Sequence, residues 1–312
     1  MSKSTATNTA GTIAATKMRV PATAAAARGA GDDRARDADV QRFLERFCRF
    51  GAAPSVATYL PLFHPDATLF DDGMERPISV AEIPDSITAT LGLAQGLVMV
   101  PERWRVRERA VFVEARNAAT IFGTPVRWRS VYRIDLAGDL VLRGRRYYDR
   151  APLLALLDPS SPRLSSLQPD ADDVAPIDAG PCAASGVTPA ELVEVCARGF
   201  RDGAWQELAA LFRDDAVLVA PGLERPLAGE AVAAHRRLLG NLLGGAPLRA
   251  RAWAGDASLV LIEWEADVPT PRGTYTLGLV DRFDLASGRI LAARTYFDTI
   301  ALVRALATSD AP

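Results

Sequence analysis

Side chains able to move protons occupy positions at which two similar stretches of this sequence differ. The stretches match at an offset of 149 residues, the distance from Leu62-Phe63 to Leu211-Phe212. The pairs that differ in chemistry are Asp71/Ala220, Tyr132/Asp281, Ser86/His235 and Arg146/Thr295. Residues kept in both stretches, such as Asp149 and Asp298, are expected to serve a shared scaffold. The differing positions are therefore the candidates for catalysis.

One candidate is Asp281, in a strand-like run of residues 275–285. Because side chains alternate along a strand, Asp281 shares a face with Leu277, Leu279 and Phe283. An unpaired carboxylate among apolar side chains is costly to ionise, so its pKa is expected to rise. A raised pKa suits a general acid or base near neutral pH. The alternatives are that Asp281 pairs with an arginine or points to solvent.

A second group of candidates lies in the first stretch. Asp71 follows a short strand-like run and is either a proton shuttle or part of an Asp-Asp-Gly turn. Trp128, Tyr132, Arg146 and Tyr148 alternate along two later strands. An arginine there could bind an enolate or carboxylate, and the phenols could donate to a developing oxyanion. The alternative for Arg146 is a structural ion pair with Asp71 or its neighbour.

His235 lies in a helical pattern with Val232 and Leu239. It is a candidate acid or base, although a histidine on such a helix is more often a surface residue or a satisfied core residue. The remaining candidates, expected to bind substrate, share strand faces with the residues above: Ser130, Leu279, Thr295 and Phe297.

Two domains are expected to carry these residues. A chain of 312 residues suggests two domains, and a repeat of this length exceeds a solenoid unit. The predicted domains span 38–158 and 188–308. Residues 1–37 are expected to form a disordered arm, and the Pro-, Ser- and Asp-rich residues 159–187 a linker. In each domain, helical patterns precede long strand-like runs, beginning in the first domain with a run of residues 104–117. This order predicts an α+β fold with an antiparallel sheet.

The repeated pattern LFxxDAxL and the closing segment RFDLASGRILAARTYFD of the second stretch resemble the SnoaL-like branch of the NTF2-like superfamily. The first stretch closes more loosely, with IDLAGDLVLRGRRYYD. The resemblance covers both stretches. It implies two cone-shaped α+β domains, each with a curved sheet around a helix-lidded apolar pocket, which together form an intrachain pseudo-dimer.

The resemblance also bears on individual residues. It implies that the strand face with Asp281 is a pocket wall and that Asp281 stands near the acid/base aspartate of SnoaL-like cyclases. Asp71 stands near the proton-shuttling aspartate of ketosteroid isomerases, whose phenolic oxyanion donor is replaced here by Phe47 or Cys196. The limonene epoxide hydrolase pattern requires an inward aspartate on the last strand. The first stretch has Arg146 at that place and the second has Thr295, so epoxide hydrolysis by that route is disfavoured.

Composition disfavours several classes of protein. A net charge of −2 gives no basic footprint for nucleic acid. Three scattered cysteines and two histidines predict no metal site, and the absence of a dinucleotide fingerprint predicts no cofactor. No apolar run approaches the ~18 residues of a membrane span. Because no secretory signal is apparent, a cytoplasmic protein is expected.

The favoured hypothesis is a cofactor-free isomerase or cyclase that uses carboxylate acid/base catalysis on a hydrophobic small molecule, a polyketide-derived intermediate of secondary metabolism. One of the two pockets is expected to be active. The alternatives are a non-catalytic small-molecule binding or scaffold protein, and a hydratase, dehydratase or epoxide-opening enzyme that uses the same pocket. Since an extended linker spans up to ~95 Å, the two domains can pair within one chain, which predicts a monomer in solution.

Overall fold

The computed structural model describes residues 30–71, 74, 76–156, 186–223, 225–271 and 273–307. The helices of the first domain are α1 (Ala30–Ala52), α2 (Val56–Tyr59), α3 (Ile83–Leu93) and α4 (Ala151–Leu154), with 3-10 turns at Leu60–Leu62 and Val80–Glu82. Its strands are β1 (Phe63–Asp71), β2 (Ile78–Ser79), β3 (Gln95–Arg107), β4 (Ala110–Ile121), β5 (Thr124–Ala137) and β6 (Leu140–Tyr147).

The second domain repeats this order. Its helices are α5 (Pro189–Asp202), α6 (Trp205–Leu211), α7 (Glu230–Leu242) and α8 (Thr299–Leu306). Its strands are β7 (Phe212–Val219), β8 (Leu227–Ala228), β9 (Arg249–Gly255), β10 (Leu259–Thr270), β11 (Gly273–Ala286) and β12 (Arg289–Tyr296). Among the described residues, no helix combines the length and apolar character that a membrane crossing requires.

Each domain contains one six-stranded mixed sheet. The strand orders are β2-β1-β6-β5-β4-β3 and β8-β7-β12-β11-β10-β9. Neighbouring strands are antiparallel except for β1 with β6 and β7 with β12, which run parallel. The expected α+β class is confirmed. The sheets are mixed and not purely antiparallel, because the first strand of each domain pairs in parallel with the last one.

Two expected boundaries are wrong. Helix α1 begins at Ala30, so residues 30–37 continue the first helix instead of belonging to a disordered arm. The run at 104–117 combines the end of β3 with most of β4, which are separated by a turn in which Glu108 has a positive φ of 57°. A turn without Gly, Pro or Asn gives little signal in the sequence. Residues 1–29 and residues 159–185 of the expected linker lie outside the described residues.

Each sheet packs one face against the helices of its own domain. In the first domain the helical pattern on α1 buries Val40, Phe43, Leu44 and Phe47, as the spacing predicts. Along β4 the inward row is Val111, Val113, Ala115, Asn117, Ala119 and Ile121. The core of each domain therefore lies between its sheet and its helices.

The opposite faces of the two sheets pack against each other. A shared apolar cluster contains Phe112, Val131, Tyr147, Ala254, Leu259, Leu261, Val280 and Tyr296. Its polar contacts are exchanged between the domains: the Tyr296 hydroxyl donates to Glu114, and the Tyr147 hydroxyl donates to Glu263. These four residues are matched at the 149-residue offset. The intrachain pseudo-dimer is confirmed, and residues kept in both stretches build its interface.

We expect the full-length chain to be a monomer in solution, because this sheet contact is already made within one chain. Light scattering over a range of protein concentrations should give the mass of one chain. A dimer that persists at the lowest concentration would contradict this expectation, since it would require another interface.

Glu114 makes this interface sensitive to acid. Burial raises the pKa of the Glu114 carboxyl. The charge of Arg282, whose Nη1 lies 2.6 Å from Oε1, and the hydrogen bond from Tyr296 outweigh this effect and lower the pKa to about 2. A carboxyl with a depressed folded-state pKa contributes stability above its ordinary pKa and loses that contribution as the pH falls. We expect about 3 kcal/mol to be lost between roughly pH 4.5 and pH 2.

The measurement is denaturant unfolding of the wild type and Glu114→Gln at several pH values from 5 to 3. The difference in free energy of unfolding between them should shrink as the pH falls. Glu82→Gln is a matched control, because Glu82 pairs with Arg76 at the exposed surface, where ion pairs contribute little. A constant difference between wild type and Glu114→Gln would contradict the assignment.

Candidate active site

A cavity of about 80 Å³ lies inside the first domain, between the inner face of the sheet and the helices. Aromatic and aliphatic side chains dominate its wall, including Phe47, Phe50, Phe63, Ile83, Ile87, Met99 and Trp128. Its polar and charged lining residues are Tyr59, Asp71, Ser86, Thr90, Asn117, Tyr132, Arg145 and Arg146. The cavity therefore combines an apolar body with a small set of polar groups, as ligand sites commonly do.

A charged pair lies in the wall of this cavity. Asp71 is the last residue of β1 and is the register partner of Arg146 on the parallel strand β6. The Arg146 Nη2 donates to Asp71 Oδ2, while Oδ1 accepts no hydrogen bond from any described residue. Burial alone would lower the pKa of Arg146, but the Asp71 carboxylate and the nearby phenols raise it well above its ordinary value. The alternative hypothesis of an ion pair between Asp71 and Arg146 is therefore correct. Asp71 Oδ1 can still accept a proton or a hydrogen bond from a ligand.

Three phenols surround this pair. Tyr132 is the register partner of Arg146 across β5 and β6, and the Tyr148 ring lies 4.7 Å from the Arg146 guanidinium carbon. Burial raises the pKa of Tyr59, whose ring packs 4.4 Å from that of Phe50. None of the three hydroxyls has a hydrogen-bond partner among the described residues. Tyr59 and Tyr132 line the cavity and can donate to a ligand oxygen near Arg146, whereas Tyr148, expected to bind substrate, is not among the residues of the cavity wall.

Tyr59 and Asn117 were not identified from the sequence. Tyr59 points to the cavity because α2 is short and continues into a 3-10 turn, which changes the helical phase. Asn117 had a readable signal, as the one polar residue in the inward row of β4. Ser130, expected to bind substrate, is fully buried; its Oγ accepts a hydrogen bond of 3.0 Å from Asn117 Nδ2. Trp128 lines the cavity as expected.

In the second domain Asp281 is paired, contrary to the expectation of a lone carboxylate. Its two oxygens accept hydrogen bonds from Arg236 Nη1 and Nη2 at 3.1 and 2.9 Å, and Oδ1 accepts one of 2.6 Å from Thr295 Oγ1. Asp281 and Arg236 are each only 1% exposed. The alternative of a pairing with an arginine is the one observed.

Arg236 was missed because the helical phase was assigned to its neighbour. Helix α7 buries Val232, Arg236 and Leu239, so Arg236 occupies the inward position one turn after Val232. His235 is displaced from that row and is half-buried. Burial, and then the charge of Arg236, lowers the pKa of His235 to about 4. His235 is therefore neutral at pH 7, and its proposed catalytic role stays a prediction.

The corresponding strand-face residues of the second domain are buried among that domain's own side chains. Leu277, Leu279, Phe283 and Phe297 all belong to its buried core. Trp264, fully buried, stands where the first domain has Ala115, at the same offset of 149 residues. A tryptophan in place of an alanine on the inward row occupies space that the first domain leaves open. The structure thus places the candidates Asp281, Leu279, Thr295 and Phe297 in a packed core separate from the cavity with Asp71.

Among the described residues, no three His, Cys, Asp or Glu side chains are grouped so that they could hold a metal ion. No protein-family model matches the sequence, and no curated protein matches it.

Solved structures do show similarity. A candidate SnoaL-like polyketide cyclase from Jannaschia sp. CCS1 is 15% identical, with a TM-score of 0.34, over 39% of this chain and 93% of that chain. An NTF2-like protein from Anabaena variabilis ATCC 29413 is 19% identical, with a TM-score of 0.32, over 35% of this chain and 86% of the other. A protein with a ketosteroid isomerase-like fold from Catenulispora acidiphila DSM 44928 is 16% identical, with a TM-score of 0.34, over 36% of this chain and 89% of the other.

Identities this low do not establish an activity. Each match covers little more than a third of this chain and most of the other chain. The order of helices and strands and the topology of both sheets show a tandem pair of α+β domains that share one fold, and they agree with the cone-shaped SnoaL-like, NTF2-like architecture that the sequence resemblance implies.

Proposed function

We propose that the first domain is a cofactor-free isomerase or cyclase for an apolar ring ketone, and that the second domain supports it structurally. The observation that carries this proposal is the aromatic cavity with the Asp71–Arg146 pair in its wall. A polyketide-derived biosynthetic intermediate is the class of substrate that suits such a cavity, because it is largely apolar and carries enolisable carbonyl groups.

In the proposed reaction, Asp71 Oδ1 removes a proton from the carbon next to the substrate carbonyl. The electron pair of the broken C–H bond moves to the carbonyl oxygen, which becomes an enolate oxygen. Arg146 and the hydroxyls of Tyr59 and Tyr132 stabilise that negative charge. In a substrate with an adjacent C=C bond the enolate is a dienolate, and Asp71 returns the proton to its γ-carbon, which completes a double-bond isomerisation. Alternatively, the enolate carbon attacks a second carbonyl group and closes a ring, and Asp71 gives the proton to the alkoxide oxygen formed in that step.

The size of the cavity implies movement when a substrate binds. At about 80 Å³ it is smaller than the ~300–1,000 Å³ of typical small-molecule sites. Met74 and Met99 line it, and unbranched methionine side chains rearrange readily. Admission of a ring system by displacement of these side chains is therefore part of the proposal.

A direct test does not require the natural substrate. We expect the protein to bind 4-acetylbiphenyl and to accelerate exchange of its acetyl protons for deuterium in D₂O, measured by NMR. The exchange reports enolisation itself. No acceleration by the wild type, despite saturable binding in a fluorescence titration, would overturn catalysis and favour the second candidate, a non-catalytic small-molecule binding protein. That candidate is supported by the pairing of Asp71 with Arg146, which a purely structural ion pair would also show.

A further inference from the structure

A buried amide in the cavity wall has no role in the proton transfer described above. Asn117 lies on the inward row of β4 between Ala115 and Ala119 and is only 2% exposed. It lines the cavity. At the matching position the second domain has the fully buried Ala266. The polar group in the cavity wall of the first domain is thus replaced by a buried methyl group in the second domain.

The orientation of this amide is determined by its neighbours. Asn117 Nδ2 lies 3.1 Å from the Trp128 carbonyl oxygen and 3.0 Å from Ser130 Oγ. A carbonyl oxygen can only accept a hydrogen bond, so the amino group of the side chain must face Trp128. The Oδ1 atom is then turned the other way, and no described residue donates a hydrogen bond to it. Because Asn117 lines the cavity, this acceptor can receive a hydrogen bond from a donor on a ligand.

The register of the strands gives the distance between Asn117 and Arg146, and therefore the length of a ligand that contacts both. Asn117 is the register partner of Trp128, and Arg146 is the register partner of Tyr132, four residues further along β5. At about 3.3 Å per residue, these points are ~13 Å apart along the strand. A ligand that reaches both has to be elongated.

We propose that Asn117 Oδ1 accepts a hydrogen bond from a hydroxyl group at the far end of the substrate, and so determines specificity. The inference rests on the proposed function, because the near end is the carbonyl group held beside Arg146. The substrate class is then narrower than an apolar ketone: it is a flat, elongated ring ketone with a hydroxyl group remote from the reacting carbonyl.

The test compares 4-acetyl-4′-hydroxybiphenyl with 4-acetylbiphenyl, which differ only in the remote hydroxyl. Dissociation constants are measured by fluorescence titration for the wild type, Asn117→Leu and Thr120→Val. Thr120→Val is the control, because it removes a hydroxyl from the same strand on the opposite, outward row. We expect about tenfold tighter binding of the hydroxylated probe by the wild type and by the control. We expect a ratio near one for Asn117→Leu, with little change in affinity for 4-acetylbiphenyl.

The possible outcomes distinguish a failure of the role of Asn117 from a failure of the proposed function. Equal affinity of the wild type for the two probes would overturn the role of Asn117 even if Asn117→Leu failed to fold. A preference that survives in Asn117→Leu would also overturn it. In both cases accelerated exchange of 4-acetylbiphenyl would leave the proposed function standing. If neither probe binds, the proposed ketone site and the role of Asn117 fail together.

Discussion

Replacement of Asp71 by asparagine should lower the rate of proton exchange in a bound ketone by about 10²–10⁴-fold, the usual contribution of a positioned acid or base. Asparagine keeps an oxygen that can accept the hydrogen bond from Arg146, so binding should change little. The loss is therefore expected in turnover and not in affinity. NMR-detected deuterium exchange under saturating 4-acetylbiphenyl measures the former, and a fluorescence titration measures the latter.

Asp66→Asn is the matched control for this experiment. Asp66 lies on the same strand, β1, but its side chain is 85% exposed, so the variant should exchange protons as fast as the wild type. If Asp71→Asn kept its exchange rate within a few-fold of the wild type, Asp71 would not be the base. A loss of binding instead of turnover would indicate a structural ion pair.

Replacement of Arg236 by methionine should destabilise the protein by about 3–5 kcal/mol, because it leaves the buried Asp281 carboxylate without its cation. Since both side chains are 1% exposed, water cannot easily compensate. The double variant Arg236→Met/Asp281→Leu should recover most of that loss, because a buried ion pair and a well-packed apolar pair are often similar in stability. Urea unfolding of the three proteins measures these differences.

Arg237→Met controls for the change of residue type, since Arg237 is the exposed neighbour on the same helix; surface changes usually stay within about 0.5 kcal/mol. A cost below about 1 kcal/mol for Arg236→Met would mean that the pair does not form in the protein. The double variant also tests which domain is active. It should keep the proton exchange that depends on Asp71, and a loss of exchange in a stably folded double variant would return catalysis to the second domain.

The carboxylate–arginine pairs of the two domains differ in their positions and surroundings. In the first domain the anion lies on β1 and the cation on β6, next to a cavity. In the second domain the anion lies on β11 and the cation on helix α7, and both side chains are 1% exposed. Each domain thus has a carboxylate–arginine pair, but the two pairs occupy positions that do not correspond, and the pair of the first domain lies in a cavity wall. This asymmetry favours a division into a reacting domain and a supporting domain.

The repeat at a constant offset was enough to predict two domains of one fold, because matched spacing over a whole domain requires matched structure. Strand alternation likewise placed Tyr132, Arg146, Asp281 and Phe283 on inward faces, since that period is a local property of the backbone. The polar break at Asn117 in the inward row of β4 and the inward helical phase of Arg236 are also readable in the sequence.

The tertiary structure alone decided which of these residues meet. Asp71 contacts Arg146, which is distant in sequence, because β1 runs parallel beside β6, and this register depends on packing across the whole sheet. The contact of Glu114 with Tyr296 depends in addition on how two sheets stack. Whether a carboxylate is paired, and whether an inward row borders a cavity or a tryptophan, follows from such long-range contacts. No local pattern of residue types records them, because the partners of each group come from elsewhere in the chain.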